Sequence, residues 1–211
     1  MRNSMTGTLC IGLVEGCAPY FAAELISGFL EEFPLVRYNL WNGSSDDVID
    51  RLNKGLADVA IIAAPYDTEH LDGVKLGVEP WVAMIPAGHP LSEHSGEEIP
   101  LSKLVGQPLI VPSRKSRIQA IRQWFAEIGA EPSILCETSN YIDAAALVER
   151  QVGISIFPQT IQTASDQFTA KTIVHPSRMA EYFLVWKKET MLPLVAEEFL
   201  NFTRDTLLAD P

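Results

Sequence analysis

The chain has 211 residues, 47% of them hydrophobic and 20% charged, enough to bury a core as one domain or two small ones. With 27 acidic against 16 basic side chains the net charge is −11, which repels phosphate backbones and excludes nucleic-acid binding by these residues themselves. Cys10, Cys17 and Cys136 are odd in number and lack metal-ligand spacing, which points to a reducing compartment and to no metal.

Strand-like and helix-like stretches alternate from the start. Thr8–Val14 (TLCIGLV) reads as a buried strand, and Pro19 suits the first position of a helix. That helix carries Phe21, Leu25, Ile26 and Phe29 on one face and stops before Pro34. Val36–Trp41 alternates as a strand does. Asn42–Ile49 (NGSSDDVI) is then a turn and a helix start, with Ser44 a good N-cap and Asp47, three residues on, making a weak capping box. Such an end turns backbone N–H groups outward, toward an anion or a carbonyl. The helix is expected to run from about Ser44 to Lys54, with Val48, Ile49 and Leu52 inward and Gly55 as its stop. Asp58–Ala64 is a third buried strand. This succession implies right-handed crossovers and a mostly parallel sheet covered on both faces.

The pattern restarts at Trp81–Pro86, a strand that leads into the turn-rich loop Ala87–Pro100. Pro108–Pro112 is a strand, Ser116 to about Ile128 a helix, and Ser133–Thr138 a strand. A helix from about Tyr141 to Arg150 and the strand Gly153–Pro158 follow. Glu181–Lys187 reads as a return strand and Leu194–Leu208 as an amphipathic helix. Two α/β units are therefore expected, the chain crossing near Met84–Pro86 and again near Arg178–Glu181. Ligands in such sheets sit at the carboxyl ends of the strands.

Signals for catalysis are poor. His70, His89, His94 and His175 are scattered, with no carboxylate or cysteine at useful spacing. Neither a nucleophile elbow nor a full phosphate loop is present, so no enzyme and no cofactor are expected. The first residues lack the apolar core of a signal peptide and no later run reaches membrane-spanning length, so the cytoplasm is the expected location.

Five stretches in this order resemble the effector-binding domains of LysR-type transcriptional regulators: GTLCIGLV, FLEEFPLV, NGSSDDVIDRLNKGLADVAII, EPWVAMIPAGHPL and LVERQVGISIFP. The resemblance runs from Gly7 to about Leu208. It implies a type 2 periplasmic-binding-protein-like α/β fold, two subdomains joined by two crossover strands. Subdomain 1 is expected at 7–84 plus 181–211 and subdomain 2 at 85–180. The family's N-terminal winged helix-turn-helix is absent from this chain, which accounts for the acidic charge, since the DNA-reading part would lie upstream. The resemblance further implies a homodimer or higher homo-oligomer, a small-molecule effector, DNA contact only through the missing domain, and no membrane. A type 2 solute-binding protein of an importer is the competing reading. Peroxide-sensing relatives use two cysteines in the second subdomain, where this chain has Cys136 alone, which speaks against redox sensing.

The resemblance places the effector between the subdomains. Carried over by position, its contacts are Glu15, Gly16 and Cys17; Ser44 and Ser45; and Ala64, Pro65 and Tyr66. From the second subdomain come Pro112, Ser113, Arg114 and Ser116, with Thr138, Ser139 and Asn140. Ser44 also has a plain reading as a helix cap without a ligand. Glu15 and Cys17 depart from the small or hydroxylated residues expected there, which suits a cationic or zwitterionic effector. The cluster Pro112–Arg117 (PSRKSR) is the dense basic stretch of an acidic chain. Its guanidinium groups could clamp a carboxylate or phosphate, or stand solvated.

Overall fold

A computed structural model of the chain describes residues 4–93, 96–159 and 166–209. The chain divides into two compact units. Unit 1 takes the chain up to Val78 and again from Glu181 onward, and unit 2 takes Glu79–Ala180.

Unit 1 begins with β1 (Gly7–Val14), α1 (Ala18–Glu32), β2 (Val36–Gly43), α2 (Ser45–Asn53) and β3 (Val59–Ala63). β1 pairs in parallel with β2 on one side and β3 on the other. Every residue of β3 is buried, as its unbroken apolar run predicts for a strand covered on both faces. Two strands then carry the chain from one unit to the other and pair with each other: β4 (Leu71–Pro86) and β10 (Met179–Lys187). β10 joins β3 antiparallel, and α5 (Leu194–Ala209) closes the unit.

The buried face of α1 is Ala18, Ala22, Leu25 and Phe29. Phe29 meets Phe199 and Phe202 of α5 edge-on, with ring centroids 5.2 and 5.5 Å away. Phe21 and Ile26, expected on that face, are only half-buried; Phe21 instead turns to Tyr182, its centroid 5.4 Å away. On α2, Val48 and Leu52 are buried and Ile49 is half-buried.

In unit 2, β5 (Glu98–Pro100) and a 3-10 turn (Leu101–Leu104) precede β6 (Leu109–Pro112), α3 (Lys115–Glu127), β7 (Ile134–Thr138), α4 (Tyr141–Glu149), β8 (Ile154–Pro158) and β9 (Phe168–Val174). β6 pairs in parallel with both β7 and β8, whereas β4 runs antiparallel to β8 and β9. Two apolar clusters fill the unit. The larger joins Trp81, Leu101, Leu104, Phe125, Ile154 and Ile156 among others; the smaller, Met84, Ile110, Ala144, Val148 and Phe157, lies under α4.

Three elements depart from the sequence expectation. β4 starts ten residues before the expected Trp81, because the Leu71–Val78 half is held by strand pairing and by aromatic rings seated on its glycines. A Cβ on Gly73 would stand 2.5 Å from the Tyr66 hydroxyl, and one on Gly77 would stand 2.9 Å from the Phe21 ring. β5 and β9 are not predicted at all. Both are short or polar, and they pair mainly with each other and with β4.

Candidate functional site

The expected site residues of unit 1 leave one edge of its sheet. Val14 and Gly43, the last residues of β1 and β2, are register partners, and Leu13 pairs with Ile61 near the end of β3. The turns beginning at Glu15, Ser44 and Ala64 are thereby brought together at the carboxyl ends of three parallel strands. Glu15 is exposed, while Gly16 adopts φ 97°, a conformation that favours glycine. Cys17 lies in the core beside this turn. It is 3% exposed, and its carbonyl accepts the amides of Tyr20 and Phe21 at 3.0 and 3.1 Å at the start of α1.

Ser44 is the N-cap of α2. Its Oγ accepts the Asp47 amide at 3.2 Å and donates its own proton to the Asp47 carboxylate at 2.6 Å. Half of the capping box read from the sequence is present: the Ser44 hydroxyl caps the Asp47 amide, while the Asp47 carboxylate takes the Ser44 hydroxyl rather than its backbone N–H. The Ser44 hydroxyl proton is committed to Asp47, so the donors this turn can offer a ligand are the Ser45 hydroxyl and the first-turn amides of Ser45 and Asp46, which no α-helix satisfies internally. Ala64 donates its amide to the Glu181 carbonyl at 2.8 Å and is followed by a cis bond to Pro65. Tyr66 turns onto Phe183, with centroids 5.2 Å apart, and its hydroxyl rests on Gly73. Burial first, and then the charge of Asp72, push its phenol pKa up.

Unit 2 repeats the arrangement. Pro112 and Thr138 end β6 and β7 as register partners, and the Ser113 amide bonds the Thr138 carbonyl at 2.9 Å. Thr138 is buried, and its hydroxyl accepts the Asn140 amide at 3.4 Å. Asn140 caps α4 as Ser44 caps α2: Oδ1 accepts the Asp143 amide and Nδ2 donates to the Asp143 carboxylate, each at 2.7 Å. Ser139 is exposed beside it. Both capped helices are nine residues long and carry an aspartate at the third position.

The start of α3 differs. Arg114 is its N-cap without a side-chain cap bond, no acid lies in its first turn, and Ser116 is exposed there. The helix begins at Lys115, one residue earlier than expected. Of the basic cluster, Arg117 stacks on Trp81, its guanidinium 5.3 Å from the ring centroid, and so is held by the core of unit 2. Arg114 and Lys115 are then the cations at this helix start. An anion is better matched there than at α2 or α4, where Asp47 and Asp143 already oppose it.

One cluster lies outside the expected site residues. Asp67 stands three residues before His70, with its carboxylate 2.6 Å from Nδ1, and with Glu69 these groups lie within 4.8 Å of one another. A carboxylate at useful spacing from His70 therefore exists, contrary to expectation. The side-chain hydrogen bond from His70, followed by the Glu69 amide, holds the Asp67 carboxyl below its usual range. All three side chains are exposed, and Asp67 also accepts the Glu69 and His70 amides, so the group is accounted for as a turn. His94 lies outside the described residues. The Cys10 thiol is pushed up by burial and then by Asp58, which lowers its thiolate content. Among the described residues no helix is long and apolar enough to cross a membrane.

Comparison with known proteins identifies the family and the fold. The model of the LysR substrate binding domain matches residues 2–208. A curated relative, the uncharacterized HTH-type transcriptional regulator YybE of Bacillus subtilis strain 168, is 24% identical over 197 residues, 93% of this chain and 67% of that protein. Across four curated relatives the share of their length spanned by this chain runs from 48% to 70%. Among solved structures, the effector-binding domain of QuiR in complex with shikimate superposes with TM-score 0.87 at 20% identity, covering 98% of this chain and 99% of that one. The regulatory domain of CcmR from Synechocystis PCC6803, in complex with 2-PG, gives TM-score 0.79 at 18% identity, covering 96% and 97%. The fold is that of these effector-binding domains, and the chain belongs to the LysR substrate-binding-domain family.

Proposed function

We propose that this chain senses a small-molecule effector for a cytoplasmic LysR-type transcription regulator. In this reading it binds the effector without turning it over, and relays occupancy to a DNA-binding domain of the kind the longer relatives carry. The observation that carries the reading is the placement of the candidate residues. In each unit they gather at the carboxyl ends of neighbouring parallel strands, next to a capped helix start. The site turns of unit 1 carry Glu15, Asp46 and Asp47, whereas those of unit 2 carry Arg114 and Lys115 at α3 and Asp143 at α4. The start of α3, with two cations and no first-turn acid, suits an effector carboxylate at Arg114. With a net charge of −11 the chain itself is no partner for DNA, which supports assigning DNA contact to another domain. Family membership among transcription regulators favours this reading over the importer alternative.

Thermal-shift screening of small carboxylates and amino acids, shikimate included, tests the reading. A ligand at about 100 times its Kd stabilises by roughly 2.7 kcal/mol, on the order of 5–10 °C for a chain of this size. Arg114→Ala should remove most of that shift. A full shift in Arg114→Ala would refute the site assignment, and conversion of the hit to a product, followed by NMR, would refute the sensor role.

A further inference from the structure

Position 43 is glycine for want of space. Gly43 is not among the positive-φ glycines, so its backbone conformation is open to other residues. A Cβ there would nonetheless stand 2.4 and 2.5 Å from Cη2 and Cζ3 of the Trp41 indole. Over the same ring lies the Arg51 guanidinium, 4.5 Å from its centroid. Arg51 Nε is buried without a hydrogen-bond partner among the described residues, so the indole is what that buried group rests on. One ring thereby joins the end of β2, at Gly43, to Arg51 near the end of α2, with the Ser44 cap lying between them in the chain.

We infer that Trp41, gripped by Arg51, is a positioning residue that fixes the direction of the Ser45 and Asp46 amides at the effector turn. The inference rests on the reading that this turn meets the effector. Physically, the turn is held before it by the Val14–Gly43 pairing and after it by the buried Val48, and little holds the residues between. Gly43, Ser44 and Asp46 are half-buried or exposed, and the cap itself is a local contact between Ser44 and Asp47. Swinging the indole away would free the β2 end from α2 and let the first-turn amides fray, as uncapped helix starts do.

Amide hydrogen exchange, which needs no effector, tests this apart from any ligand-induced shift. Trp41→Leu should speed exchange of the Asp47 and Val48 amides, both bonded to Ser44, by roughly tenfold or more, while the buried β3 amides keep their rates. Trp41→Phe, which keeps a ring for Arg51, should stay within about threefold of the native rates. Gly43→Ala should reproduce the Trp41→Leu effect by displacing the indole, and the double variant should be no worse than Trp41→Leu alone. Equal acceleration in β3 would make Trp41 an ordinary core residue and overturn the inference. So would unchanged Asp47 and Val48 rates, or additive effects of the two substitutions. Should Trp41→Leu fail to fold, Trp41→Phe and Gly43→Ala still decide the matter.

Discussion

Ser155 offers the sharpest test of the packing in unit 2, because the expected sign is opposite to that of most core substitutions. It lies on β8, 1% exposed, and its Oγ has no hydrogen-bond partner among the described residues. Its neighbours Ile154 and Ile156 join the larger apolar cluster, so by strand alternation Ser155 faces the smaller one, with Phe157. Its register partners Met84 and Ile110 belong to that cluster, and Ala144 and Val148 of α4 complete it. A buried hydroxyl without a partner costs about 1–3 kcal/mol in lost hydration. Ser155→Ala removes that cost and leaves a gap smaller than a methyl group, worth under ~1 kcal/mol. The net expectation is a gain of about 1 kcal/mol, or about 2–4 °C for a chain of this size. Calorimetry and urea unfolding, run together, measure both the sign and the midpoint. A drop of 2 °C or more would show that the hydroxyl is bonded in solution and that the reasoning fails.

Three further outcomes are expected. Ser44→Ala deletes both arms of the α2 cap and should cost about 1 kcal/mol, seen as a fall in the calorimetric midpoint; an unchanged midpoint would mean the cap contributes nothing. Asp67 titrates below the usual carboxylate range because His70 bonds it, so the turn is stabilised above the unfolded-state pKa and loses that stabilisation as pH falls through the folded-state pKa. His70→Gln should bring the Asp67 titration, followed by carboxyl NMR shifts, back toward the ordinary value. The chain should form a homodimer at tens of micromolar in multi-angle light scattering, an isologous pair in keeping with its family; a monomer throughout would count against it.

Local signals in the chain were enough to reveal much of this protein. The apolar runs at Thr8–Val14 and Asp58–Ala64 mark strands buried on both faces, since little else accommodates five or more consecutive apolar residues beside turn signals. Ser44 followed by Asp47 marks a helix start, because capping involves side chain and backbone within one turn. The order of such signals was sufficient for the fold class and the family. Contacts between residues far apart in sequence were decided only in three dimensions. Leu71–Val78 reads as polar and glycine-broken, yet it is half of a 16-residue strand because β10 pairs with it and Tyr66 and Phe21 use the space above its glycines. β5 and β9 exist through pairing with each other and with β4, which no local periodicity announces. At the site, the turns themselves were legible, but the commitments of their side chains were not. Cys17 belongs to the core, Tyr66 to Phe183, Arg117 to Trp81, and the Ser44 proton to Asp47. A side chain's partner depends on what the fold brings within a few ångströms, and for all of these except Asp47 that neighbour comes from a distant part of the chain.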